Sequence, residues 1–278
     1  MSGTSRYTGL VEKYFDELAD GEFDRLTAQP IQEVSLHIHE TWLRRVIARG
    51  QRVLEIGAGG GRFTQTLHAI GARVVVADLS GVQLDINRRN AEPLGYAPSV
   101  EAWERADVCA MPQFPDASFD AVVAYGGPLS YALERRDAAA EECRRVLKPG
   151  GALLASVMSM WGTFNRYYMN FVKAPPSQMR EIIRTGDVTP QSSSATTHPH
   201  HLYRAAELRD LLARHGFHDI RLCSSHGIAH LYDPLLEQAR ARPEVWSSLL
   251  AFELEAAESE GYVETGTHLI AVARARPA

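Results

Sequence analysis

The residues with the most chemical content are Glu55-Ile56-Gly57-Ala58-Gly59-Gly60-Gly61. They lie between an apolar run, VLEIG (53–57), and an amphipathic segment, RFTQTLHAIG (62–71). That order reads as a strand turning into a helix. Glycines in such a turn let the backbone approach a ligand closely, and the first helical turn offers N–H groups with no partner inside the helix. Asp78 closes the next β-branched run, RVVVADL (73–79), 21 residues after Gly57. A carboxylate there can accept hydrogen bonds from both hydroxyls of a ribose. Loop and carboxylate together predict a ligand that carries a nucleoside.

Other nucleotide signatures narrow the choice. The dinucleotide fingerprint G-x-G-x-x-G needs glycine at position 62, where Arg62 stands. A P-loop needs Gly-Lys, and no lysine follows a glycine. The Tyr-x-x-x-Lys pair of short-chain dehydrogenases is missing too: Gly9, Arg144 and Met169 stand four residues before the three lysines. A nicotinamide-dependent oxidoreductase is therefore the weaker enzyme alternative.

The elements that must position the loop follow from periodicity. Residues 5 to 28 read as helical, with Leu10, Val11, Tyr14, Phe15 and Leu18 at helical spacing, and a second helix runs from about Ile31 to Ala48. Helices at about 81–93 and 135–151 then alternate with strands in 99–107, 119–127 and 152–159. Strands alternating with helices argue for βαβ units and a parallel sheet covered on both faces. The alternation breaks at about 160–202, where aromatics, Pro175-Pro176 and the polar TPQSSSATTHPHH predict an insertion, part helix and part mobile loop, that serves as a lid. A helix (204–216), a strand (218–224), a helical excursion at about 232–259 and a strand (268–275) complete the chain, the two late strands as antiparallel neighbours at the sheet edge. The expected organisation is an N-terminal helical cap over 1–48 and an α/β domain over 49–278.

Composition bounds the function. The chain has 278 residues, 45% of them hydrophobic and 23% charged, with a formal net charge of −5. That is an ordinary globular balance with room for a core and no basic stripe for nucleic acid. Lysine occurs only three times against 26 arginines, which points to a GC-rich genome. No run reaches the roughly 18 apolar residues of a membrane span, and the start has no signal-peptide core. Cys109, Cys143 and Cys223 have neither metal nor disulfide spacing, so a reduced cytoplasm is expected.

Over most of its length the chain resembles the class I S-adenosylmethionine-dependent methyltransferases. Their first motif, E/D-x-G-x-G-x-G, is met by Glu55, Gly57, Gly59 and Gly61. Ala106-Asp107-Val108, FDAVVAYGGPLSY, RRVLKPGG and LYRAAELRDLLARHGF resemble later motifs of the same family. YFDELADGEFDRL, GGPLSYAL and GTHLIAVAR are similar to small-molecule members of type 11/25 from bacteria and archaea. The resemblance implies a Rossmann-like three-layer sandwich with a seven-stranded, mostly parallel sheet, its last strand antiparallel, plus a helical cap. It implies S-adenosyl-L-methionine as cofactor and S-adenosyl-L-homocysteine as product. Gly57, Ala58, Gly59 and Gly61 would pack on the methionyl part and Glu55 would orient its amino group. Asp78 would hold the ribose, and Leu79, Asp107 and Val108 would meet the adenine. Tyr125 and Gly126 would lie beneath the methionyl chain.

The acceptor is bounded by exclusion. No N-P-P-Y or D-P-P-Y follows the fourth strand, no Pro-Cys nucleophile is present, and that strand does not end in acidic metal ligands. A small-molecule acceptor, methylated at O, N or C without metal or nucleic acid, is expected, in a monomer or homodimer away from membranes. The non-enzyme alternative binds the cofactor but only regulates or scaffolds. The resemblance places Tyr14 within reach of the methyl. Arg25 faces either an acceptor carboxylate or Glu22 one turn away, and pairing with Glu22 is preferred. Of His37 and His39 only one can face the pocket, and both read as structural. His198, His200 and His201 lack zinc spacing and read chiefly as a solvated loop, with His200 kept as a proton acceptor or acceptor contact. His226 replaces a glutamate common in similar sequences, which removes any role carried over to that position.

Overall fold

The computed structural model describes residues 6–192, 198–229 and 233–277. Seven strands form one sheet: β1 (Arg52–Ile56), β2 (Arg73–Asp78), β3 (Val100–Arg105), β4 (Phe119–Ala124), β5 (Leu147–Met158), β8 (Phe217–Ser224) and β9 (His268–Ala275). A separate two-stranded ribbon pairs β6 (Asp187–Val188) with β7 (His200–His201). The large sheet runs β3-β2-β1-β4-β5-β9-β8. The first five strands are parallel, and β9 runs antiparallel to both neighbours. The two late strands pair as expected, but β9 enters between β5 and β8, so β8 alone forms the edge.

Each central strand feeds two cores, because successive side chains point to opposite faces. Leu54, Val122 and Ala124 face one cluster with Cys143 of α7 (Arg136–Val146) and Leu208 of α11 (Ala205–Arg214). Val53, Ala121 and Val123 face the other, with Leu43 of α3 (Pro30–Val46), Leu67 of α4 (Arg62–Ile70) and Leu84 of α5 (Gly81–Ala91). The result is a three-layer α/β sandwich. The chain order reverses between β1 and β4, and there the strand ends leave a crevice.

Segment 5–28 departs from its single expected helix. It forms α1 (Thr8–Leu18) and α2 (Gly21–Arg25), broken where Ala19 takes a positive φ of 46°. Gln83 Nε2 donates to the carbonyls of Phe15 and Ala19 and so ties the break between the two helices to α5. The Pro-Gly-Gly segment, expected as a helix stop, is drawn into a 12-residue β5. Its pairing with β4 shifts register between Phe119 and Ala121.

The insertion contains α8 (Met160–Arg166), α9 (Tyr168–Lys173) and α10 (Pro176–Thr185) before the ribbon. Much of its expected mobile loop, residues 193–197, lies outside the described residues. A three-residue 3₁₀ turn (Leu133–Arg135) links α6 (Pro128–Tyr131) to α7, while α12 (Asp233–Arg240) and α13 (Pro243–Glu258) form the late excursion. Among the described residues no helix is long and apolar enough to cross a membrane.

The insertion packs backbone against backbone. A Cβ added at Gly162 would lie 1.8 Å from the Gly266 carbonyl oxygen, a contact no flexible side chain can relieve. Gly162→Ala is expected to cost about 1–3 kcal/mol of stability by overpacking. Urea unfolding with an unchanged midpoint would show that α8 does not seat against residues 264–267.

Candidate functional site

Two adjoining clefts open at the carboxyl ends of the central strands. The first, about 750 Å³ counted out to solvent, is floored by Gly57 and Gly59 and walled by Asp78, Leu79, Asp107 and Val108. Thr8, Val11 and Phe15 of α1 and Glu22 of α2 roof it. The second, about 1970 Å³ counted likewise, is larger and contains Tyr14, Arg25, His39, Tyr125, His198 and His200. Gly57, Gly59 and Gly126 border both, so the clefts meet at the glycine loop.

The loop has its shape because of its glycines. Gly57 has a φ of 74°, and a Cβ there would come within 2.5 Å of Pro128 Cγ. The Gly59 N–H donates to Asp78 Oδ2 at 2.8 Å and the Ser80 N–H to Oδ1 at 2.9 Å. Burial nevertheless pushes the Asp78 carboxyl up to about 6. Ser80 Oγ donates in turn to Asp16 of α1 at 2.5 Å, which ties the roof to the site.

Two residues of the first motif do not line either cleft. A Cβ at Gly61 would strike Tyr96 Oη at 2.3 Å, so this glycine allows close packing behind the loop. Glu55 is buried, and its Oε2 accepts from Thr64 Oγ1 at 2.7 Å while Oε1 has no hydrogen-bond partner in the structure. Burial pushes its carboxyl up to about 8. Ala58 borders the second cleft only. Asp107 lines the first cleft with both oxygens engaged, accepting from Cys109 N and from Arg135 Nη1, each at 2.9 Å.

The second cleft is aromatic and rich in histidine. The Tyr125 ring makes edge contacts with His39 at 4.7 Å and Phe63 at 5.0 Å. Tyr14 borders this cleft and stacks on His198 at 4.0 Å. Burial, with Glu22 next, raises the Tyr14 phenol above its usual range. Arg25 makes two hydrogen bonds to Glu22, at 2.8 and 2.7 Å, so the preferred pairing forms, and the pair stands within the cleft wall. His39 faces the cleft, and His37 is not part of either wall. Burial pushes His39, His198 and His200 down to about 4.

The three-histidine segment is not a solvated loop. His201 is fully buried, with Nδ1 2.7 Å from Asp187 and Nε2 2.8 Å from Glu207. Despite burial, those carboxylates raise its pKa. On a strand, neighbours point opposite ways, so His200 faces the cleft while His201 locks the ribbon onto α11. Among the described residues no group of three or more His, Cys, Asp or Glu is arranged to hold a metal ion.

Sequence reasoning missed the roof residues Thr8, Val11, Phe15 and Glu22, the Arg135 partner of Asp107, and the cleft histidines His226 and His268. His226 follows β8 and His268 opens β9; the antiparallel pairing of those strands brings them together. No local signal announces that.

Comparison with known proteins agrees with this geometry. Residues 53–151 match the model of a methyltransferase domain family. A ubiquinone/menaquinone biosynthesis C-methyltransferase of Hahella chejuensis is 33% identical over 153 residues, 52% of this chain and 57% of that protein. A demethylmenaquinone methyltransferase of Clavibacter sepedonicus is 36% identical over 155 residues, 54% of this chain and 58% of that protein. The chain thus spans little more than half the length of these relatives. Among solved structures, the [4+2]-cyclase SpnF superposes with a TM-score of 0.62 at 20% identity, covering 99% of this chain and 98% of the cyclase. A possible histamine N-methyltransferase of Thermotoga maritima gives 0.58 at 18%, covering 95% and 99%. Residues 53–151 are thus similar in sequence to a methyltransferase domain, and the whole chain shares the fold of these solved structures.

The buried Glu55 makes stability depend on pH. Between about 4.5 and about 8 the folded protein keeps a proton that the unfolded chain has lost, so this group removes stability as pH rises. Glu55→Gln should lessen that decline, by up to about 1.4 kcal/mol per pH unit. Urea unfolding of both proteins at several pH values across the window measures the difference. Parallel curves would mean that Glu55 is already ionised when folded.

Proposed function

We propose that the protein transfers a methyl group from S-adenosylmethionine to a small-molecule acceptor, without a metal. The observation that carries this reading is the meeting of two clefts at Gly57, Gly59 and Gly126, one lined by the glycine loop and Asp78, the other aromatic. Two features support the first cleft as the cofactor site: two glycines of positive φ border it, and the buried Asp78 carboxylate closes β2, where a ribose would be held. Asp78 would hold the ribose, Leu79, Asp107 and Val108 the adenine, and Gly57 to Gly59 with Gly126 the methionyl chain. Glu55 would act through the loop that it underlies. When bound, the cofactor supplies a methyl activated by a positive sulfur.

The chain's own contribution is then alignment and exclusion of water. Holding two reactants in line can lower a barrier by roughly 7–11 kcal/mol. The roof from α1 and α2 closes the nucleoside cleft, and Tyr14, His198 and His200 form one wall of the acceptor cleft. Tyr14 and His200 are the side chains assigned to the acceptor, His200 as a neutral imidazole able to take a proton. The similarity to a ubiquinone/menaquinone biosynthesis C-methyltransferase and to a demethylmenaquinone methyltransferase supports a small-molecule acceptor. A cytoplasmic monomer or homodimer is the matching setting.

A fold neighbour described as a [4+2]-cyclase shows that this architecture is not confined to group transfer, so turnover must be measured directly. Calorimetric titration of cofactor-stripped protein should give micromolar binding of S-adenosylhomocysteine and none of NADH; the reverse would restore an oxidoreductase. Methyl transfer from labelled cofactor to an acceptor panel separates an enzyme from a cofactor-binding regulator. Asp78→Ala should weaken S-adenosylhomocysteine binding by about 1–3 kcal/mol. Unchanged affinity would remove Asp78 from the ribose site.

A further inference from the structure

The acceptor cleft has a polarity that its aromatic walls do not explain. Five histidines border it: His39, His198, His200, His226 and His268. For two of them the tautomer follows from a backbone partner. His39 Nδ1 lies 2.7 Å from the carbonyl oxygen of Ser35, and His200 Nδ1 lies 3.0 Å from that of His198. A carbonyl oxygen can only accept, so each Nδ1 carries the proton. In a neutral ring Nε2 is then a bare lone pair. Burial keeps both rings neutral at physiological pH. No described residue hydrogen-bonds Nε2 of either ring.

Three arginines also border the cleft. Arg25 is held by both carboxylate oxygens of Glu22. Arg62 donates to the Phe23 carbonyl and lies over that ring, and Arg166 lies 3.4 Å from Gln29 Oε1. Between them the cleft offers aromatic walls and two lone pairs, which favour a hydrogen-bond donor and repel the oxygen of an anion placed against them.

We propose that His39 and His200 are the residues that select the acceptor, and that they select a neutral aromatic ring carrying a hydroxyl donor. The inference rests on the methyltransferase reading above and names the acceptor class for the same site. His39 stands against Tyr125, next to Gly126 at the junction of the clefts, and His200 stands on the ribbon of the insertion. A hydroxyl has one proton, so it donates to Nε2 of one ring at a time, from the sheet side or from the insertion side. A ring without a donor would leave both buried nitrogens without a partner, and unpaired buried polar groups are how a site rejects an isostere.

The test is a titration of the full chain saturated with S-adenosylhomocysteine, using para-phenylphenol, its donor-free isostere para-fluorobiphenyl, and the anion para-phenylbenzoate. The phenol should bind at least about tenfold more tightly than either of the others. His39→Phe and His200→Phe should each reduce that preference, and the double variant should abolish it, with S-adenosylhomocysteine affinity kept as the control for folding. Equal binding of phenol and fluoro isostere by the unaltered protein overturns the proposal without any variant. So does tighter binding of the carboxylate, which would make Arg25 the selecting group, and so does a preference that survives the double substitution. Failure to bind S-adenosylhomocysteine would instead overturn the cofactor reading beneath it.

Discussion

The Asp78 carboxylate joins the parts of the site. It accepts the N–H of Gly59 with one oxygen and that of Ser80 with the other, so the turn after β1 and the turn after β2 share one anchor. Ser80 passes the connection to Asp16 and hence to the N-terminal helices. A carboxylate this buried is costly to ionise, and its raised pKa shows that two backbone donors do not fully replace water. A ligand that donates further hydrogen bonds would favour the ionised form. The glycine loop, the second strand and the roof are therefore coupled through one side chain.

A second constraint is the division of labour on the short ribbon. His200 and His201 are adjacent, yet one borders the second cleft and the other is locked between two acids. A Cβ at Gly186 would meet the His201 ring at 2.4 Å, so the turn before β6 is shaped to seat that imidazole. The locked residue fixes the strand, and the strand fixes the neighbour that faces the cleft. Neutral His200 and charge-stabilised His201 arise from the same dipeptide because burial lowers the pKa of one while paired carboxylates raise that of the other.

The two clefts differ in what they ask of the chain. The first cleft is built mainly from residues at strand ends, which a parallel sheet places together. The second draws on α1, α2, α3, the insertion and the ends of β8 and β9. Its walls come from the parts of the chain in which periodic pattern is weakest.

By itself the sequence determined the alternating α/β plan, the place of the glycine loop and the carboxylate after the second strand. Those features are local: β-branched runs, glycines at positive φ and helix stops act within a few residues. It also located the final strand, 268–275, but not that this strand inserts beside β5. Tertiary structure alone decided that Glu55 and Gly61 brace the loop from behind, that Arg135 engages Asp107, and that the first helix breaks at Ala19 to form a roof. It decided too which histidines share a cleft, since His39, His200, His226 and His268 lie as much as 229 positions apart. Burial and pairing across such distances set protonation and orientation, and neither is written in a residue's immediate neighbours.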